Sequence, residues 1–203
     1  MTPRRIAEQL SHPCGLLGRG VGFLMNRNNA KINTFALLQL NVDKTERVLE
    51  IGFGGGVALP RLIENAGFVA GIDRSKDVVS HAKSRFRRTV AAGEAAFLQG
   101  QVEALPFKPS SFEKILTVNT VYFWKSLDEG SREMHRVLVP GGIAVVGFLP
   151  KEFMDRMGMP PDIFTPRTQD AVVTAMEQAG FVKVQVTRPE SHTAWAVIVG
   201  CRD

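Results

Sequence analysis

The chain has very little cysteine: Cys14 and Cys201 stand at opposite ends of its 203 residues. They form no CxxC pair and no metal-ligand spacing. That excludes a disulfide scaffold or a cysteine-based zinc site and points to a reduced, cytoplasmic protein. The four histidines, His12, His81, His135 and His192, are scattered, with no His/Asp/Glu cluster at ligand spacing, so no metal is expected. No apolar run approaches the ~20 residues that span a bilayer. Arg4 and Arg5 open the chain, but Arg19 and several glycines interrupt the apolar core a signal peptide would need. Internal repeats, low-complexity tracts and long Pro/Ser linkers are absent from the sequence. Charge of one sign is also modest, with 25 basic side chains against 20 acids and a net charge of +5. The densest basic run, Arg85, Arg87 and Arg88, falls on the outer face and end of a helix. It reads as a solvated face rather than a nucleic-acid stripe.

What is present suits one α/β domain over 1–203, with a helical N-terminal segment at 1–42 and a sheet-bearing core at 43–203. The most informative stretch is Val48-Leu49-Glu50-Ile51-Gly52-Phe53-Gly54-Gly55-Gly56. An apolar strand that ends on glycines and restarts as a helix lets the backbone approach a small ligand, because no Cβ intervenes. Glu50, Gly52, Gly54 and Gly56 form acidic-x-Gly-x-Gly-x-Gly. A dinucleotide fingerprint would place its third glycine at Val57, so a nicotinamide-dependent oxidoreductase is disfavoured. Asp73 follows Gly52 by 21 residues, room for one helix and a return strand. In a right-handed βαβ unit it would face the glycine loop and could accept from a ribose diol. Alternatively it caps the next helix, in competition with Ser75.

Patterning predicts strands at 47–51, 68–73, 95–99, 112–119 and 143–149, and helices at 56–65, 75–88 and 126–138. A further helix starts at Thr165-Pro166 and ends at Gly180, before a hairpin of 182–188 and 194–201. The order is that of a doubly wound sheet, whose ligands bind in the wedge between its two halves. Asn119-Thr120-Val121-Tyr122-Phe123-Trp124 lies at the mouth of that wedge. Its aromatics could wall a flat or greasy acceptor, with the Tyr122 hydroxyl orienting it, or could be core under the following helix. In the N-terminal segment, Ile32, Phe35, Leu37, Leu38 and Leu40 form a helix-like apolar group. The preceding asparagine-rich stretch, Asn26 to Asn33, has the character of a hinge. The segment could pack on the sheet edge or touch a membrane, though Gly15, Gly18, Gly20 and Gly22 argue against a stable interfacial helix. His12 is the histidine best suited to act as a base.

These motifs together resemble the class I S-adenosylmethionine-dependent methyltransferases, in the type 11-like group. Glu50 to Gly56 resembles their motif I, and Gly71-Ile72-Asp73-Arg74-Ser75 the acidic end of their second strand. Gln101-Val102-Glu103-Ala104-Leu105-Pro106-Phe107 resembles the loop after strand three, and Arg136-Val137-Leu138-Val139-Pro140-Gly141-Gly142 the turn before strand five. The resemblance implies a seven-stranded Rossmann-like sheet with an antiparallel last strand and S-adenosylmethionine as cofactor. It implies cofactor contacts from Glu50, Gly52, Phe53, Gly54, Gly56, Asp73, Arg74, Gln101, Val102, Glu103 and Asn119. Gln101 departs from the aspartate many members carry, which leaves a neutral acceptor for the adenine amino group. In the family the N-terminal extension often covers the cofactor. Asn29 and Asn33, with Tyr122 and Trp124, would then frame the acceptor, and Tyr122 and His12 are the candidate catalytic groups. The implied activity is direct methyl transfer to a small molecule. A lipid or quinone acceptor is the alternative, and a silent cofactor binder is the non-enzymatic one.

Overall fold

A computed structural model of the protein describes residues 30–158, 160, 162–189 and 194–203. It contains a seven-stranded sheet whose strands are β1 (Arg47–Ile51), β2 (Phe68–Asp73), β3 (Ala95–Gln99), β4 (Phe112–Val118), β5 (Leu138–Phe148), β6 (Phe181–Thr187) and β7 (Ala196–Arg202). Their order is β3-β2-β1-β4-β5-β7-β6. The first five pair in parallel, and β7 runs antiparallel to both β5 and β6. Strand order reverses between β1 and β4. Their carboxyl ends, at Ile51 opposite Thr117, open the crevice where such sheets take ligands.

Helices cover both faces. On one lie α1 (30–40), α2 (Leu59–Asn65) and α3 (Lys76–Arg85), followed by the short α4 (Arg87–Ala91). Ile32, Ala36 and Leu40 of α1, Leu59 and Leu62 of α2, and Val79 and Ala82 of α3 share a core with Val48, Leu116 and Val145 of the sheet. On the other face lie α5 (Leu127–Val137), α6 (Lys151–Arg156) and α7 (Gln169–Gln178). Met134, Val137, Met154, Val172 and Met176 pack there on Leu49, Ile51, Ile115 and Val146. Nearly continuous apolar strands are what a parallel sheet covered on both faces requires. Among the described residues no helix is long and apolar enough to cross a membrane, and none group as a metal site.

Several boundaries differ from the sequence expectation for physical reasons. The helix expected from Gly56 starts at Leu59, because Gly56 takes φ +67 and Pro60 fits the first turn. The helix expected over 75–88 breaks at Phe86, whose ring leans 5.8 Å from that of Phe97. Residues 30–33, expected in a hinge, begin the described part of α1, and Leu38 points outward while Ala36 is buried. The last long helix starts at Gln169, capped by Thr168, and not at Thr165-Pro166. Thr165 N–H donates to Tyr122 O, and Arg167 O accepts from Lys151 N–H. These tertiary bonds hold 165–167 out of the helix.

Candidate functional site

The glycine loop follows β1, and its three glycines serve different ends. Gly52, Gly54 and Gly56 have φ of +68, +48 and +67, the left-handed region that favours glycine. A Cβ on Gly52 would meet Thr120 Cγ2 at 2.4 Å, so that glycine seats the loop against the end of β4. A Cβ on Gly54 would meet no described atom within 4 Å. Gly54 therefore lines open space, as a ligand cradle must. Phe53 points the other way. It is buried, with its ring 5.5 Å from Phe97, so its side chain is core and only its main chain can face a ligand.

Asp73 ends β2 beside this loop. Its Oδ2 accepts from Gly54 N–H at 3.0 Å and its Oδ1 from Ser75 N–H at 2.9 Å. Ser75 then caps α3 by accepting from Val78 N–H. The two sequence readings of Asp73 were thus not exclusive: it faces the glycine loop and orders the turn into α3. Glu50, one residue before the end of β1, is buried, and its Oε2 has no hydrogen-bond partner among the described residues. Burial first, and the Asp73 charge second, push its carboxyl from an ordinary 4.5 up to about 8. A buried orphan acceptor beside a second acid is the environment a ligand cation would complete. Together with the open space at Gly54, it fits the cationic methionine end of S-adenosylmethionine.

The loop after β3 carries the contacts expected for the adenine. Gln101 is exposed and Val102 buried. Glu103 Oε1 accepts from Lys125 N–H at 2.7 Å, tying this loop to the one after β4. The Arg74 guanidinium lies 5.0 Å over the Phe123 ring, and the Arg74 carbonyl accepts from Gln99 Nε2.

Beyond β4 the burial of the aromatics favours the second of the two sequence readings, core under the following helix. Asn119 takes φ +58 and its N–H donates to Gly147 O. The Tyr122 hydroxyl donates to Asn119 Oδ1 at 3.2 Å and accepts from Leu149 N–H at 2.5 Å. Burial pushes the phenol above its ordinary range. Tyr122 is therefore a buried strut between the loops after β4 and β5. Trp124 is buried too. Its Nε1–H donates to Thr120 Oγ1 at 3.2 Å, and its ring lies where a Cβ on Gly130 would collide. It is core under α5. Phe123, half-buried, presents its ring to Arg74 and to Phe164, 5.1 Å away. Asn33 is buried on α1, next to Ile32, whose side chain lies against Gly147. His12 and Asn29 lie outside the described residues.

Three residues here went unnoticed in the sequence. Thr117 donates its hydroxyl to Ile51 O at 3.0 Å and also bonds Thr120 Oγ1. Arg167 donates from Nη2 to Trp124 O at 2.8 Å and from Nε to Val121 O at 3.4 Å. The threonines carried a weak signal, two hydroxyls three residues apart at a strand end. Arg167 carried none.

The chain matches the Methyltransferase domain family over residues 49–146. It is 29% identical over 133 residues to an uncharacterized methyltransferase, YdaC, of Bacillus subtilis, covering 64% of this chain and 71% of that protein. It is 25% identical over 144 residues to the chloroplastic 2-methyl-6-phytyl-1,4-hydroquinone methyltransferase 1 of rice, covering 68% of this chain but 42% of that enzyme. Among solved structures, a possible histamine N-methyltransferase from Thermotoga maritima superposes with a TM-score of 0.68 at 24% identity, covering 89% of this chain and 92% of that one. Domain match and relatives agree with the motif order read from the sequence, and the solved structure agrees with the sheet: together they support a class I S-adenosylmethionine-dependent methyltransferase.

Proposed function

We propose that the chain, acting as one domain, transfers a methyl group from S-adenosylmethionine to a small-molecule acceptor by direct in-line displacement. The observation that carries this reading is the glycine loop, pinned to Asp73 through Gly54 N–H beside the unfilled oxygen of Glu50. When bound, S-adenosylmethionine supplies a methyl group already activated on a sulfonium. The chain has to bind, align and exclude water, and alignment alone can supply ~7–11 kcal/mol. Asp73, at the end of β2 beside the glycine loop, would accept from the ribose hydroxyls. Glu50 would face the ammonium group, and the Val102 N–H and Gln101 amide would serve the adenine. Tyr122 moves no proton here; it fixes the loops that border the acceptor.

An acceptor with an apolar body is favoured by a separate observation. An open groove of about 420 Å³ lies between α1 and the start of β7, lined by Ala30, Phe35, Leu38, Pro189 and Trp195 with Lys31 and Thr34. It is of ligand size and mainly apolar. Lipid-like and quinone acceptors suit that lining, and the name of the rice relative points the same way. The test is radiolabelled methyl transfer from S-adenosylmethionine into cell extract, partitioned into organic and aqueous phases. Label in the organic phase supports the apolar acceptor. No label in either phase, with NAD raising the melting temperature and S-adenosylhomocysteine leaving it unchanged, would overturn the assignment.

A further inference from the structure

We infer that the site takes up its cofactor with release of a proton, Glu50 passing from carboxylic acid to carboxylate as the ligand's ammonium group arrives. The inference rests on the cofactor reading above and goes beyond it to the linkage between binding and pH. Its geometry is the two acids at adjacent strand ends. Asp73 has both oxygens held by backbone amides, which favours its charge. Glu50 has no such support at Oε2 and is 5% exposed. A lone carboxylate in that position is stable only as the neutral acid until a cation reaches it. The surroundings supply none among the described residues. On the neighbouring strands, Glu50 pairs with Gly71 and Leu116, both neutral. The flanking helices carry Lys31 on α1, Arg61 and Glu64 on α2, and Lys76, Asp77, His81, Lys83 and Arg85 on α3, all exposed, with Arg85 Nη1 beside Gly56 rather than Glu50. Lys114 on β4 is buried but paired with Glu46 at 3.5 Å. Asp73 is the charge that reaches Glu50, and its sign favours protonation.

The balance is simple. Before binding, the pocket holds Glu50 as COOH. Afterwards it holds COO⁻ against the ligand's NH₃⁺, and one proton has gone to the buffer. Affinity then rises with pH while Glu50 is protonated; the rise ends near pH 8, and at higher pH affinity falls as the ligand's own ammonium group loses its proton.

Calorimetry on the full chain tests this. S-adenosylhomocysteine is titrated in two buffers of different ionisation enthalpy at about pH 7, and the difference in heat counts protons. The expected result is close to one proton released, with affinity changing nearly tenfold per pH unit below about pH 7. 5′-Methylthioadenosine, which lacks the amino-acid end, should bind with no proton release and a flat pH profile. Glu50→Gln should bind S-adenosylhomocysteine more weakly and release no proton. Binding of S-adenosylhomocysteine by the native chain without proton release, or with the same release in Glu50→Gln, would sink the inference while leaving the cofactor reading intact. Failure of S-adenosylhomocysteine to bind would remove both. If Glu50→Gln does not fold, the contrast between the two ligands on the native chain decides alone.

Discussion

Two glycines of one loop should fail in different ways. Gly52→Ala places a methyl group 2.4 Å from Thr120 Cγ2 and 3.3 Å from Thr120 Cβ, at φ +68. Gly54→Ala places one in open space at φ +48. Both pay the left-handed penalty, about 1–2 kcal/mol. Gly52→Ala adds overpacking, about 1–3 kcal/mol more. For a chain of this size each kcal/mol moves the melting temperature by ~2–4 °C. Gly52→Ala should therefore lower it by on the order of 10 °C, and Gly54→Ala by roughly a third to a half of that. The cause can be isolated with Thr120→Ser, which removes Cγ2 and keeps the hydroxyl that bonds Thr117 and accepts from Trp124. In the double variant the methyl has room, so about 1–2 kcal/mol of the Gly52→Ala loss should return. The assay is urea denaturation of the parent, both single variants and the double. If the two effects add to within ~0.5 kcal/mol, the contact with Thr120 is not what requires glycine at position 52.

The cofactor side makes complementary predictions. Gly54→Val should keep a cooperative melt yet abolish binding of S-adenosylhomocysteine by calorimetry; retained binding would show that the loop does not approach the ligand. Asp73→Ala removes a charge-assisted acceptor, each such bond worth roughly 1.5–3 kcal/mol, so affinity should fall at least tenfold in a protein that still folds. Unchanged affinity would confine Asp73 to ordering the loop. Tyr122→Phe leaves Leu149 N–H without its acceptor, so stability should drop by about 1–3 kcal/mol in urea while S-adenosylhomocysteine affinity holds within a few-fold. Glu50 predicts a pH slope. Its carboxyl titrates higher in the fold than in the unfolded chain, so between about pH 4.5 and pH 8 the folded state holds a proton the unfolded state has lost. Stability of the ligand-free protein should therefore fall as pH rises through that window, by on the order of 3 kcal/mol at pH 7 relative to Glu50→Gln. Parallel stability curves for the two proteins would refute the assignment.

The parts legible in the sequence were those whose signals are local. β1, β2 and β3 have the expected bounds, because each is an apolar run closed by glycine, acid or turn residues. The glycine loop and Asp73 could be placed because a fixed count of residues brings adjacent strand ends side by side. The aromatics after β4 could not. Tyr122 and Trp124 turn inward because a phenol and an indole find Leu149 N–H, Asn119 and Thr120 as partners, and nothing in a list of residues says which side of a loop holds those partners. The same blindness misplaced the start of α7. Pro166 is a sound local signal, overruled by bonds to Tyr122 and Lys151 that belong to distant stretches of chain.

The clasp around the loop after β4 has a consequence for how such a protein diversifies. Arg167 grips the carbonyls of Val121 and Trp124, the Tyr122 hydroxyl takes the amide of Leu149, and Thr165 returns an amide to the Tyr122 carbonyl. Apart from Arg167 and Tyr122 themselves, every partner in these bonds is main chain, which any residue but proline can offer at an amide and any residue at a carbonyl. Side chains carried by these loops can therefore change without removing the main-chain groups that tie the loops together. Sequence can drift along these loops while their path across the end of the sheet stays where it is.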